Sequence, residues 1–186
     1  MLTKRDKEIT NFITAFKVAN TSTIKRLFFS NLRTAQIRLK WLHDNKVIKR
    51  SREYVIKEYI YYLKKPKQFQ HKLLLSDFYN RLNQMVDIKH FVVEKAVGSI
   101  IPDAIMAYEY KGNKYIGCIE IEISNNPISK KIDAYRKFYK TGQYKKYFNT
   151  MPTLILVTDK KVPKVEEFRV IQIHENFSNI DIICRR

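Results

Sequence analysis

From Thr3 to Phe16 the apolar positions Ile9, Phe12, Ile13 and Phe16 recur at spacings of three and four, one face of a helix entered through Thr3. The stretch NTSTIKRLFF repeats the pattern on a shorter scale. Thr21 or Ser22 offers a cap, and Ile24, Leu27 and Phe28 form the buried side of a second helix. A third helix, capped by Ser30 or Asn31, turns Ala35, Leu39 and Leu42 inward and presents Arg33, Thr34, Gln36, Arg38 and Lys40 outward. After HDNKVIKR the period falls to two. Val47–Arg50 and Tyr59–Leu63 are expected to pair as strands, connected through Ser51, Arg52 and Lys57.

Lys64-Lys65-Pro66-Lys67 interrupts the periodicity and has the charged, proline-broken composition of a linker. It predicts two domains, residues 1–66 and 67–186. Leu74, Phe78, Leu82 and Met85 then mark an amphipathic helix that opens the second domain. Phe91–Glu94 and Ala104–Tyr110 are strand candidates, and Tyr115–Ile123 returns after a turn at Lys111-Gly112-Asn113. Ser129 is placed to cap a long helix through Ile132, Tyr135, Phe138 and Tyr139. Thr153–Val157 is wholly apolar in its middle, as a central strand should be, and Ile171–Ile173 and Ile180–Ile183 are expected as edge strands.

Three helices followed by a hairpin is the order of a winged helix-turn-helix. Helix, three-strand meander, helix and buried strand is the order of a restriction-endonuclease-like, PD-(D/E)XK core. The expected class is therefore mixed α+β, with α/β character in the second domain.

Charge narrows the function. The 186 residues hold 36 Lys+Arg against 18 Asp+Glu, a formal +18, a balance that suits double-stranded DNA as partner. Residues 1–70 carry 17 basic and 5 acidic side chains, so most of the field originates there. No apolar run approaches the roughly 18 to 20 residues of a membrane span, and MLTKRDKEIT lacks the apolar core of a signal peptide. The expectation is a cytoplasmic protein with no membrane partner. Cys118 and Cys184 lack any paired spacing and are expected as buried thiols.

A winged helix lays its third helix in the major groove, so Arg33, Thr34, Gln36, Arg38 and Lys40 are expected at bases and phosphates. Lys49, Arg50 and Arg52 of the wing are expected on the flanking backbone. Trp41 is read as a packing residue. In the second domain Pro102-Asp103 and Glu120-Ile121-Glu122 fall where such a nuclease has its PD and (D/E)XK. There Asp103 and Glu120 would share magnesium or manganese. The third position, normally a lysine, is Glu122. A carboxylate supplies no cation to lower the pKa of an attacking water, so the expected protein is a non-catalytic binder without a cofactor. The alternative is a metal-dependent nuclease or nickase using Asp103, Glu120 and Glu122, with Lys131 reaching in from the next helix.

With both halves in view, the chain resembles the replication-relaxation family of Gram-positive plasmids, integrative elements and phages. The resemblance is carried by TKRDKEITNFITAFKVANTSTIKRLFF, RTAQIRLKWLHDNKVIKR, HKLLLSDFY, IPDAIMAY, EIEIS and KKIDAYRKFYKTGQY. It implies a winged-helix DNA-binding domain ahead of a nuclease-like domain, acting in replication, plasmid relaxation or transfer, or transcriptional control of a mobile element. Replication or transfer proteins, and a second copy forming a homodimer, are the further partners expected. The acid-x-acid at Glu120–Glu122 looks like a trait of that family. The chain departs from the pattern after Val157, where little room remains for a further helix over the far edge of the sheet.

Overall fold

The computed structural model describes residues 1–53 and 57–185, which form two compact units, Met1–Arg81 and Leu82–Arg186. Both mix helix and sheet, giving an α+β chain. Among the described residues no helix is long and apolar enough to cross a membrane.

In the first unit, α1 (Lys4–Phe16) starts at a reciprocal cap. The Thr3 hydroxyl accepts from the Asp6 N–H, and the Asp6 carboxylate accepts from the Thr3 N–H at 2.6 Å. After the two-residue strand β1 (Ala19–Asn20), α2 (Thr21–Phe28) is capped by Asn20, whose Oδ1 accepts from the Thr23 N–H at 2.7 Å. The expected caps Thr21 and Ser22 are engaged elsewhere, Ser22 Oγ donating to Glu58 Oε1 at 2.5 Å. Asn31 caps α3 (Leu32–Asp44), as the sequence predicts. Strands β2 (Lys49–Glu53) and β3 (Glu58–Tyr62) follow. The sheet order is β1-β3-β2, antiparallel throughout, so the hairpin is closed by a strand from between α1 and α2. Ile9, Ile13, Ile24, Leu39, Leu42, Ile48 and Ile60 are fully buried and form the core.

The next helix, α4 (Phe69–Leu82), belongs with this unit rather than opening the second. Its Tyr79 ring lies 5.8 Å from Phe12 and 5.1 Å from Phe16. Its Asp77 carboxylate accepts from both Asn20, at 3.1 Å, and the Thr23 hydroxyl. The division expected at residue 66 therefore falls after Arg81. The proline-broken stretch is a link inside the first unit, because the helix beyond it packs Leu73 on Val18 and Ile60 and sets Tyr79 against α1.

The second unit is built on a five-stranded sheet in the order β4-β5-β6-β7-β8: Asp87–Val93, Ala104–Tyr110, Asn113–Ile121, Thr153–Val157 and Val170–Ile173. The first three strands form an antiparallel meander, and β6, β7 and β8 run parallel. Helix α5 (Ile128–Lys140) crosses from β6 to β7 and packs Ile128, Ile132, Tyr135 and Phe138 on Cys118, Leu154 and Leu156. Its N-cap is Pro127 and not Ser129, so the helix begins one residue before the expected cap. A short 3-10 helix, Gln143–Lys146, follows it. On the other sheet face a Cβ at Gly117 would stand 2.8 Å from Ile155 Cδ1, so a larger residue there requires the buried Ile155 side chain to shift.

The expected edge strand at Ile180–Ile183 is a 3-10 helix, Ile180–Cys184. Ile180 and Ile183, three apart, are both buried, and the Tyr108 hydroxyl donates to the Ile183 carbonyl at 3.3 Å. Both cysteines are free, but only Cys118 is buried; Cys184 is half-exposed.

Candidate functional site

Helix α3 buries Ala35, Leu39 and Leu42 and leaves Arg33, Thr34, Gln36 and Lys40 exposed. Its acidic residue, Asp44, closes the last turn and pairs with Lys40 at 2.5 Å. Arg38 faces differently. Its Nε donates to Asp6 Oδ1 at 2.8 Å, its Nη2 reaches the other oxygen, and its guanidinium stacks over Trp41 at 4.2 Å. Asp6 is fully buried, and the Arg38 hydrogen bonds hold its carboxyl far below the usual range. Arg38 thus ties α3 to α1, which separates it from the other predicted DNA contacts. Trp41, expected as a packing residue, is half-buried, with the Arg38 guanidinium over its ring. In the wing, Lys49 and Arg52 are exposed, and Arg50 lies half-buried against the Tyr59 ring at 4.5 Å.

One residue of this surface escapes a polarity-based reading. Ile37 is 62% exposed in the middle of the polar face of α3. Its signal in the sequence is phase: it is apolar, yet out of step with Ala35, Leu39 and Leu42.

The second site lies where β5 and β6 meet. The register Ala104↔Ile119 sets Asp103 against Glu120, and Asp103 Oδ2 accepts from the Ile121 N–H at 2.8 Å. Glu120, near the end of β6, and Glu122, just past it, both come within reach of Lys131 on α5. Lys131 Nζ stands 2.8 Å from Glu120 and 3.5 Å from Glu122, and the Tyr135 hydroxyl donates to Glu120 at 2.8 Å. Glu122 also accepts from Lys160 Nζ at 3.1 Å and from the Ser124 hydroxyl at 2.5 Å. The four residues expected here, Asp103, Glu120, Glu122 and Lys131, do converge. Lys160, Tyr135 and Ser124 were not foreseen: Tyr135 follows Lys131 at i+4 on α5 and Ser124 follows Glu122 at i+2, spacings the sequence does show, whereas Lys160 comes from the loop after β7 with no motif spacing.

The electrostatics follow from burial. Glu120 is 6% exposed, and its carboxyl is pushed up chiefly by desolvation, with Asp103 adding to the rise and Lys131 opposing it. Burial also works against the Glu122 charge, but the Ser124 and Lys160 hydrogen bonds and the Lys131 charge outweigh it and leave its carboxyl low. Burial opposes the Lys131 charge as well, and Glu120 more than compensates, holding the ammonium above its ordinary value. Beneath them, burial and then the Glu120 charge push the Cys118 thiol up to about 12, which leaves it inert at neutral pH. The cluster sets two buried glutamates and Asp103 against two lysines. Among the described residues no group of three or more His, Cys, Asp and Glu side chains is placed to share a metal ion.

Comparison of the chain with protein-family models, curated proteins and solved structures finds no match.

Proposed function

We propose that the first unit is a winged helix-turn-helix and that the protein is a sequence-specific double-stranded DNA-binding protein without catalysis of its own. The observation that carries this reading is the outward face of α3. Arg33, Thr34, Gln36 and Ile37 stand together in solvent on a helix whose opposite side is locked into the core. Arg and Gln supply bidentate contacts to guanine and adenine, and an exposed isoleucine suits a thymine methyl. The unit as a whole holds 19 Lys+Arg against 6 Asp+Glu, which supplies the backbone attraction. Its meander–helix–strand order, β4-β5-β6, α5 and β7, supports reading the second unit as a restriction-endonuclease-like core. The resemblance to the replication-relaxation family points to replication, transfer or transcription of a mobile element as the setting.

Selection from a random duplex library, followed by footprinting on the selected site, tests the reading. Arg33→Ala with Gln36→Ala should cut the preference for that site by about 10- to 100-fold while weakening non-specific binding far less. Unchanged site preference would remove α3 as the reading helix.

The enzyme alternative draws on one observation, the ammonium that Lys131 brings to Glu120 and Glu122 from α5. It uses Asp103, Glu120, Glu122 and Lys131, with magnesium or manganese on Asp103 and Glu120. Nicking of supercoiled plasmid in either metal, abolished by Asp103→Ala, would replace the non-catalytic reading.

A further inference from the structure

The positive charge of the second unit is confined to one place. Residues 128–151, which hold α5 and the 3-10 helix after it, carry 7 Lys+Arg against 1 Asp+Glu; the rest of Leu82–Arg186 carries 10 against 11. Two of the seven are already used. Lys131 neutralises the buried glutamates, and Arg136 pairs with Asp133 and Glu167 at 3.1 Å each. Lys130, Lys137, Lys140, Lys145 and Lys146 are all exposed, and among the described residues none of them enters an ion pair.

Their placement is ordered. Lys130 and Lys137 are seven residues apart on the outer face of α5, about 10 Å along the axis, with Lys140 one turn further. That span equals roughly three nucleotide rises of about 3.4 Å each along a duplex axis. The opposite face of α5 is packed in the core, so the lysines are carried on a rigid support. Lys130 sits in the first helical turn, where a cation opposes the helix dipole, so its position does nothing for the helix itself.

Beside them stands an aromatic ring. Tyr147 is 43% exposed, with Lys146 Nζ 5.8 Å from its centroid and Phe148 at 6.4 Å. Its edge rests on the turn at Gly98, where an added Cβ would lie 3.5 Å from the ring. Lysines interleaved with a braced, exposed ring form a surface that tracks a phosphodiester backbone and stacks on a base. An anionic membrane would call instead for a broad apolar face, and Tyr147 is the one large exposed hydrophobic in this segment.

We propose that α5 and the 3-10 helix after it form a second, sequence-independent nucleic-acid contact surface, with Lys137, Lys140, Lys145 and Lys146 on phosphates and Tyr147 against a base. It is separate from α3 and does not depend on the reading of that helix.

The test uses the full chain, a 30-nucleotide single strand, the corresponding duplex of unrelated sequence, and anionic phospholipid vesicles. Replacing Lys137, Lys140, Lys145 and Lys146 by Ala should weaken binding to both nucleic acids at least tenfold. It should also flatten the plot of log affinity against log salt by about 3 on the single strand and about 4 on the duplex, at about 0.7 and 0.9 per lost contact. The matching Lys→Arg variant should restore binding, which separates lost charge from lost fold. Tyr147→Ala should weaken the single strand more than the duplex. An unchanged salt slope in the alanine variant, failure of the arginine variant to bind, or vesicle binding that exceeds nucleic-acid binding would each overturn the proposal. Arg33→Ala with Gln36→Ala, measured alongside, reports on α3 alone, so failure of one surface is distinguishable from failure of the other.

Discussion

At residue scale, two basic side chains that look interchangeable in the sequence have been spent on buried acids. Arg38 offers a planar fork to both oxygens of Asp6, a geometry lysine cannot copy. Removing it strands a fully buried carboxylate. With Arg38 itself partly exposed, Arg38→Ala should cost the first unit about 2 kcal/mol, near 10 °C in its unfolding midpoint, whereas Arg33→Ala should cost almost nothing. Equal midpoints for the two variants would show that the pair contributes no stability. The pH dependence has a definite sign. Because the folded value of Asp6 is depressed, its contribution is complete above the ordinary aspartate pKa of about 3.9 and is lost as pH falls through the lower folded value. The stability gap between the wild type and Asp6→Asn should therefore be constant near neutrality and narrow only in strong acid, as acid titration followed by circular dichroism would show. In the second unit, Lys131→Met alone leaves Glu120 buried without its cation. It should destabilise clearly, while Lys131→Met with Glu120→Gln should recover most of the loss, measured as denaturation midpoints. A double variant no better than the single would show that Lys131 acts through packing or Glu122 rather than through Glu120.

At the scale of elements, α4 decides where the first unit ends. A fragment 1–66 lacks Asp77 and Tyr79, so Asn20 and Thr23 lose their acceptor and Phe12 and Phe16 lose their aromatic cover. At about 1 kcal/mol for each ring contact and hydrogen bond, fragment 1–81 should be more stable than 1–66 by about 4 kcal/mol. Equal denaturation midpoints for the two would return the boundary to the Lys64–Lys67 stretch. Helices α1, α2, α3 and α5 and strands β5, β6 and β7 were legible because each carries a period, although the caps read for α2 and α5 were displaced by Asn20 and Pro127. The partner of α4 was not, since an amphipathic stripe states that a face is buried but not against what. Ile180–Ile183 misled for a related reason: a short apolar run fits a strand or a tight helix equally, and tertiary burial decides. Asp103, Glu120 and Glu122 could be placed from strand order alone, whereas Lys160 reaches Glu122 through a loop whose course no periodicity encodes.

At the scale of the whole molecule, charge is partitioned between two compact units. The first holds 19 basic and 6 acidic residues, and in the second the excess is concentrated in residues 128–151. Each cation that meets a phosphate releases a counterion, so the number of contacts is read from the salt dependence rather than from the affinity at one salt concentration. If only the first unit touches DNA, fragment 1–81 and the full chain should give parallel plots of log affinity against log salt. If the lysines of α5 also engage, the full chain should be steeper by about 4 on a long duplex, since each phosphate contact adds about 0.9. The second contact is then intramolecular and adds affinity without any new specificity. Shortening the duplex to what the first unit alone can cover should abolish the difference. Parallel plots at every duplex length would confine DNA contact to the first unit and leave the basic face of α5 to another polyanion.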